Sequence, residues 1–155
     1  MTRMFLNGTA MAGQKDAGSH GGSTFLGPAF TAARYRFLVV RDEFPGLLEV
    51  GRGGRSIEGE LYEIPDEVLH GDLLPNEPAE LAFGSIELLD GEVVHAMLLQ
   101  PERVNPADQV VDVSELGGFR AYQRHLAANA RLPSLLRPLL RPLLDPDDGR
   151  GGLRE

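Results

Sequence analysis

The sequence contains no cysteine. Without this residue the chain cannot form a disulfide, a cysteine-ligated zinc site, an iron–sulfur cluster or a thiol nucleophile. Proteins without cysteine are easily accommodated in a reducing compartment, so a cytoplasmic location is the expectation. Any nucleophile or acid–base group must therefore come from another residue type.

Positive charge and long apolar runs are also scarce. The formal net charge is −8, whereas a phosphate-binding protein normally presents a basic face, so no nucleic-acid partner is expected. No stretch approaches the roughly 20 apolar residues of a membrane-spanning helix. The first residues lack the apolar run of a secretory signal. We therefore predict no membrane partner.

Turn-forming residues, in contrast, are abundant. The 19 glycines and 11 prolines argue against a helical bundle and favour short strands joined by many turns. Asp90-Gly91 predicts a hairpin turn between two apolar runs, and Phe44-Pro45-Gly46 predicts another turn. Apolar patterning and turn signals predict seven strands, at residues 4–6, 24–30, 34–40, 47–50, 56–64, 81–89 and 92–100.

Two helices are predicted between and after these strands. A short helix is expected over residues 65–74, because proline opens it and two acids follow in its first turn. Ser114 is expected to cap a second helix that runs to about Arg131.

The C-terminal residues differ in sequence pattern from the rest of the chain. Leu-Leu-Arg-Pro and its variant Leu-Leu-Asp-Pro repeat with a period of four over residues 135–146. Proline at every fourth position excludes a continuous helix. We predict a domain at residues 1–131 and an extended arm with a disordered tail at residues 132–155. The arm could pack on its own domain or bind a partner, including a second copy in a homodimer.

The usual cofactor motifs are missing. The four histidines, His20, His70, His95 and His125, show no metal-ligand spacing. There is no Gly-x-Ser-x-Gly nucleophile motif, and the glycines at 51–54 lack the Gly-Lys-Ser/Thr of a phosphate loop. We therefore expect neither a metal nor a cofactor.

A glycine turn follows the first predicted strand. In Asn7-Gly8-Thr9-Ala10, consecutive backbone N–H groups could hold a carboxylate or an oxyanion. On sequence alone the same residues could equally form a structural bend.

Carboxylates are the remaining candidates for acid–base groups. Glu58 and Glu60 alternate on one face of a predicted strand, and Glu77 lies between Pro75 and Pro78. A fixed, partly buried carboxylate with a raised pKa is suited to general acid–base work at neutral pH. Most glutamates in such turns are simply solvated, which is the alternative interpretation of Glu77.

Five motifs occur in an order that resembles the γ-glutamylcyclotransferase-like family. The closest branch includes the C-terminal domain of allophanate hydrolases and small stand-alone relatives. The resemblance covers roughly residues 3–126 and implies an α+β fold, a small, mostly antiparallel β-barrel flanked by short helices. The motifs are Phe5-Leu-Asn-Gly-Thr9, Phe44-Pro-Gly-Leu47, Ile57-Glu-Gly-Glu-Leu-Tyr62, Ile86-Glu-Leu-Leu-Asp-Gly91 and Asp112-Val-Ser-Glu-Leu-Gly-Gly-Phe-Arg-Ala-Tyr122.

The resemblance also implies a site and a reaction. It places substrate binding at Asn7, Gly8, Thr9, Ala10 and Tyr62, and a catalytic carboxylate at Glu77. In the implied reaction, the α-amine of a γ-glutamyl amide attacks the γ-carbonyl, releasing an amine and 5-oxoproline without a cofactor.

Departures from the usual cyclotransferase pattern favour the allophanate hydrolase branch. Asn7 replaces a tyrosine, Pro78 replaces the glycine after the glutamate, and Ser85 replaces a cation. In that branch the domain is implicated in handling the unstable carboxylated product of an amidase, so a small urea- or carbamate-derived acid is the alternative substrate. A non-catalytic binding or assembly module is the second alternative.

Overall fold

The computed structural model describes residues 1–14 and 16–130. The predicted arm at residues 132–155 lies outside them. The strands are β1 (Thr2–Leu6), β2 (Thr24–Phe30), β3 (Tyr35–Val40), β4 (Phe44–Glu49), β5 (Glu58–Ile64), β6 (Leu81–Glu87), β7 (Val93–Leu99) and β8 (Val110–Asp112). The α-helices are α1 (Asp66–Val68) and α2 (Phe119–Ala130). Single 3₁₀ turns lie at Ala17–His20, Leu74–Asn76, Pro101–Arg103 and Ser114–Leu116.

The eight strands form one curled, mixed sheet. Its order is β2-β5-β1-β7-β4-β3-β8, with β6 added alongside β7. Five of the strand pairs are antiparallel, and β7 is parallel to both β1 and β4. The predicted α+β fold with a mostly antiparallel barrel is confirmed.

Strands β1 and β4 share one edge of β7, because β6 occupies the other edge along its length. β1 pairs with β7 at His95 and Ala96, and β4 pairs with it at Leu98. The two strands must therefore separate along that edge. The chain leaves β1 at Leu6 at this point, so the loop after β1 lies beside the start of β4.

The core lies inside the curl of the sheet. Its largest fully buried side chains include Phe5, Tyr35, Phe37 and Leu47. The close approach of β1 and β5 requires a glycine, because a Cβ on Gly59 would lie 2.5 Å from Cζ of Phe5. Burying a side chain of this size typically contributes about 1.5–3 kcal/mol, so this core holds β1 and its following loop firmly.

The predicted turn at Phe44-Pro45-Gly46 is wrong. These residues begin β4, and the chain reverses earlier, at Arg41 and Asp42, which both have positive φ angles of 54° and 60°. Three residues separate the paired Val40 and Phe44, and the N–H of Glu43 closes the turn by donating to the carbonyl of Val40 at 2.8 Å. Pro45 is tolerated in the strand because β4 pairs with β7 only at Leu47.

The helical segment after β5 confirms the predicted helix at 65–74 in position but not in type. One α-helical turn at α1 continues as a π-helix at Leu69–Leu73 and ends in the 3₁₀ turn Leu74–Asn76. Leu69 and Leu73 are buried, and Pro75 lies within the final turn. The segment therefore delivers the following residue, Glu77, in a fixed place.

The predicted helix from Ser114 is interrupted. Ser114–Leu116 forms a 3₁₀ turn, Gly117 has a φ of 88°, and α2 begins at Phe119. Ser114 does not cap the helix, because its hydroxyl accepts a hydrogen bond from the backbone N–H of Phe37. Strand β8 and two of the 3₁₀ turns, Ala17–His20 and Pro101–Arg103, were not predicted. Within the described residues, no helix has the length and apolar character needed to cross a membrane.

Candidate functional site

A small cleft of about 30 Å³ opens where β1 and β4 separate. We call it the inner cleft. The loop residues Asn7–Ala10 line one side, and Glu77 with Pro78 lines another. Apolar side chains, including Phe44 and Leu81, complete the wall. The fold thus brings together the predicted loop and the predicted carboxylate, which are about 70 residues apart in the sequence.

The loop after β1 is fixed by contacts with its carbonyl oxygens. The N–H of Met11 donates to the carbonyl of Gly8 at 3.1 Å, and the N–H of Asp16 donates to that of Thr9 at 2.7 Å. Nε2 of the buried His20 lies 2.7 Å from the carbonyl oxygen of Ala10. Gly8 also packs against β4, since a Cβ there would lie 2.8 Å from Cγ of Pro45.

These bonds determine the direction of the loop amides. The C=O and N–H of a trans peptide point in opposite directions, and the Gly8 and Thr9 carbonyls are both engaged. The N–H groups of Thr9 and Ala10 therefore point away from those bonds. Neither donates to any other described residue, and both residues line the inner cleft. Asn7 adds a buried side-chain Nδ2 that has no partner among the described residues.

Glu77 is fixed by its backbone rather than by its side chain. Its N–H donates to the carbonyl of Leu74 at 3.1 Å, and Pro78 restricts the conformation that precedes it. No described residue donates a hydrogen bond to its carboxylate. Burial raises the pKa of the Glu77 carboxyl to about 7, and the negative charge of Asp16 adds to the rise. Near neutral pH this group can therefore either donate or accept a proton.

A second, larger opening, the outer cleft, adjoins Glu77 and has a volume of about 390 Å³. Asp16, Glu43 and Glu80 line it together with Arg41. Arg41 is already paired with carboxylates: Glu43 at 3.0 Å, Glu80 at 2.8 Å and Asp108 at 2.7 Å. Among the described lining residues, acidic side chains thus outnumber the single arginine.

Tyr62, predicted to bind substrate, does not line either cleft. It is buried, its hydroxyl donates to Oε1 of Glu60 at 2.9 Å, and its ring contacts that of His20 at a centroid distance of 4.7 Å. The structure therefore places Tyr62 behind the loop, in contact with Glu60 and His20.

Glu60 is the carboxylate behind the loop. Burial favours its neutral form, but hydrogen bonds from Ala12, Arg120 and Tyr62 outweigh this and hold the pKa of Glu60 below its ordinary value. Glu58 is exposed instead, so the two carboxylates predicted on one strand face have different surroundings.

Three residues near the site were not singled out from the sequence. His20 and Asp16 lie in a glycine-rich segment without a motif, and their contacts with the loop appear only in the folded chain. Arg120 lies in the last of the resembling motifs, which was the available signal. Within residues 1–14 and 16–130, no cluster of three or more His, Asp or Glu side chains is arranged to hold a metal ion.

The allophanate hydrolase C-terminal domain family matches residues 2–124. The chain belongs to this family. The resemblance inferred from the five motifs is thereby confirmed, together with the branch to which they pointed.

Two relatives illustrate the family. Urea amidolyase of Saccharomyces cerevisiae is 39% identical over 105 residues, which are 64% of this chain and 6% of the yeast protein. The chain therefore spans only a small part of that relative. A solved structure of a uropathogenic E. coli-specific protein is 32% identical, with a TM-score of 0.72, and the match covers 80% of this chain and 96% of that one.

A more distant neighbour shows the fold alone. The structure of an AIG2-like protein from Mus musculus is 23% identical, with a TM-score of 0.52 over 68% of this chain and 80% of that chain. The allophanate hydrolase family and the AIG2-like protein thus share one sheet architecture.

Proposed function

We propose that this domain is an acid–base enzyme that breaks a carbon–nitrogen bond in a small urea-derived acid, with Glu77 as the proton donor. The observation that carries the proposal is the Glu77 carboxyl, with a pKa of about 7, in the same cleft as the free amides of Thr9 and Ala10. A protonated acid near hydrogen-bond donors suits a reaction in which charge on the substrate must be held while nitrogen gains a proton.

The proposed substrate carries a carboxylate on nitrogen, R–NH–COO⁻. Glu77 donates its proton to the nitrogen as the bond from nitrogen to the carboxylate carbon breaks. The bonding electrons stay on nitrogen, the carboxylate carbon leaves as CO₂, and the product R–NH₂ remains. Glu77 becomes a carboxylate and regains its proton from water. The Thr9 and Ala10 amides hold an oxygen of the R group throughout.

The relatives support this choice of substrate class. Allophanate is itself an N-carboxylated urea, and urea amidolyase is the yeast relative at 39% identity. An amidase acting on allophanate would generate a second N-carboxylated acid, which is the same type of substrate. The chain corresponds to only 6% of the yeast protein, so the proposal assigns it one step and not the activity of that whole enzyme.

A γ-glutamyl amide is the second candidate substrate, and the outer cleft favours it. In this reaction Glu77 begins as a carboxylate, takes a proton from the attacking α-amine and passes it to the leaving nitrogen. The acidic side chains of Asp16, Glu43 and Glu80 would accommodate the released amine as a cation. The products are 5-oxoproline and that amine.

The test compares the full chain with its Glu77→Gln variant. One arm follows CO₂ by ¹³C NMR from ¹³C-labelled allophanate, alone and with an added allophanate amidase that lacks its own C-terminal domain. The other arm measures 5-oxoproline from γ-glutamyl amines. We expect faster CO₂ release with the wild-type chain and a loss of about 100-fold or more in Glu77→Gln.

Glu102→Gln is the matched control, because Glu102 is exposed on a separate 3₁₀ turn. It should retain wild-type activity. Formation of 5-oxoproline without CO₂ release would replace the first substrate class with the second. No turnover by the wild-type chain in either arm would overturn the enzyme proposal in favour of a binding module.

A further inference from the structure

We propose that Glu60 and Arg120 act as positioning residues, which clamp the far end of the loop after β1 and thereby aim the Thr9 and Ala10 amides. The inference rests on the proposed function, in which those amides hold an oxygen of the substrate. Neither residue lines the inner cleft, so any effect on the reaction must pass through the loop.

The clamp binds both the N–H and the carbonyl of one residue, Ala12. Oε1 of Glu60 accepts a hydrogen bond from the N–H of Ala12 at 2.9 Å. Nη2 of Arg120 donates to the carbonyl of Ala12 at 2.8 Å and to Oε2 of Glu60 at 2.7 Å. Both polar groups of Ala12 are thus bound by two side chains that are also bound to each other.

Glu60 anchors both ends of the loop. Its backbone lies opposite Leu6, the last residue of β1, in the antiparallel pair with β5. Its side chain holds Ala12, six residues further along. The span from Leu6 to Ala12 is therefore closed on one residue, and the two free amides lie in the middle of this span.

The position of Arg120 is equally determined. Arg120 is in the first turn of α2, and the preceding Gly118 forms a bridge with Glu58 of β5. A Cβ on Gly118 would lie 3.2 Å from the carbonyl oxygen of Glu58, so the start of the helix packs closely on the strand. Helix and strand thereby present Arg120 and Glu60 to the same loop residue.

The charge pair suits a rigid clamp. The Glu60 side chain is 13% exposed and that of Arg120 is 39% exposed. Hydrogen bonds between ionised partners are about twice as strong as those between neutral ones. Without the Arg120 guanidinium, the largely buried carboxylate of Glu60 would also lose one of its three hydrogen-bond donors. Loss of the Arg120 guanidinium should therefore free Ala12 and let the loop move.

The experiment uses Arg120→Gln, Arg120→Lys and a matched control, Arg55→Gln. Arg55 forms a 3.0 Å ion pair with Glu115 in which both side chains are well exposed, away from the loop. We expect kcat to fall by about tenfold to 100-fold in Arg120→Gln, because small displacements of positioned groups have effects of this size. KM should change much less. Arg120→Lys should recover part of kcat, and Arg55→Gln should match the wild type.

Hydrogen exchange, followed by mass spectrometry over residues 7–12, supplies a readout that needs no activity. Faster exchange in Arg120→Gln but not in Arg55→Gln is the expected result. Unchanged exchange, or a rise in KM with kcat intact, would overturn the clamp. If the wild-type chain has no activity, the proposed function fails, and the exchange result still decides whether Arg120 fixes the loop.

Discussion

Two buried or partly buried carboxylates near the inner cleft have opposite surroundings. Glu60 accepts hydrogen bonds from Ala12, Tyr62 and Arg120 and is held in its charged form. Glu77 accepts none from the described residues, and burial raises its pKa to about 7. The pKa values of two residues of the same type are therefore shifted in opposite directions, and the difference lies in the hydrogen-bond donors that the fold supplies.

The comparison teaches how geometry and reactivity are separated in this site. A carboxylate saturated with donors fixes its neighbours but exchanges its proton only at low pH. A carboxylate in an apolar setting without donors is poor at fixing neighbours but titrates near neutrality. Divergent environments of this kind commonly distinguish acid–base groups from structural ones. This contrast supports the proposal that Glu60 fixes the loop and that Glu77 transfers the proton.

The largest expected effect that follows from this contrast concerns stability against pH. The pKa of Glu77 is about 7 in the folded chain, against an ordinary value of 4.5. Between these values the folded state binds more protons than the unfolded state, so its stability falls as pH rises. Relative to Glu77→Gln, which lacks this titration, the wild type should lose about 3 kcal/mol of unfolding free energy between pH 4 and pH 8.

Urea unfolding of both proteins across that pH range measures this loss. The exposed Glu102→Gln variant is the control and should follow the wild type at every pH. A difference between wild type and Glu77→Gln that is independent of pH would mean that Glu77 titrates as an ordinary surface carboxylate. The site would then lack its neutral acid.

A smaller effect is expected on the loop side. Replacing His20 with phenylalanine keeps an aromatic ring beside Tyr62 but removes the polar contact with the Ala10 carbonyl. The buried carbonyl is then left without this partner, which typically costs about 1–3 kcal/mol. Thermal unfolding should show the loss, and exchange at residues 7–12 should increase.

His70→Phe is the matched control, because His70 is exposed on the π-helix. It should leave both unfolding and loop exchange unchanged. If His20→Phe also behaves like the wild type, the loop does not depend on the contact between His20 and the Ala10 carbonyl. The contrast between a hydrogen-bonded loop and a Glu77 carboxyl without donors would then be weaker.

Much of the fold followed from local signals. Alternating apolar residues located seven of the eight strands, and Asp90-Gly91 marked the hairpin between β6 and β7. The turn between β3 and β4 was misplaced, because Phe44-Pro45-Gly46 has stronger turn chemistry than Arg41-Asp42, which forms the actual reversal. Strand β8 was missed, since only two of its three residues, Val110 and Val111, are apolar.

The candidate site was predictable only in its two best-marked parts. The glycine turn at 7–10 and the proline-flanked Glu77 have local signatures. Tyr62 stood out equally well in its motif, yet it lies behind the loop rather than in the cleft. The contacts of Asp16, His20 and Arg120 are set by tertiary packing, which no local pattern encodes.

The smallest predicted effect separates the two causes of the Glu77 shift. Burial is the larger cause and the negative charge of Asp16 the smaller. Asp16→Asn removes that charge but keeps the backbone N–H that donates to Thr9. The pKa of Glu77 should therefore fall only part of the way toward its ordinary value, and the pH profile of activity should move in the acid direction. Asp72→Asn, an exposed change on the π-helix, should leave the profile in place. The pKa of Glu77 in Asp16→Asn is measured by ¹³C NMR of its carboxyl group. A full return to the ordinary value would show that charge repulsion, and not burial, raises the pKa of Glu77. The contrast with Glu60 would then be a matter of neighbouring charge and not of missing donors.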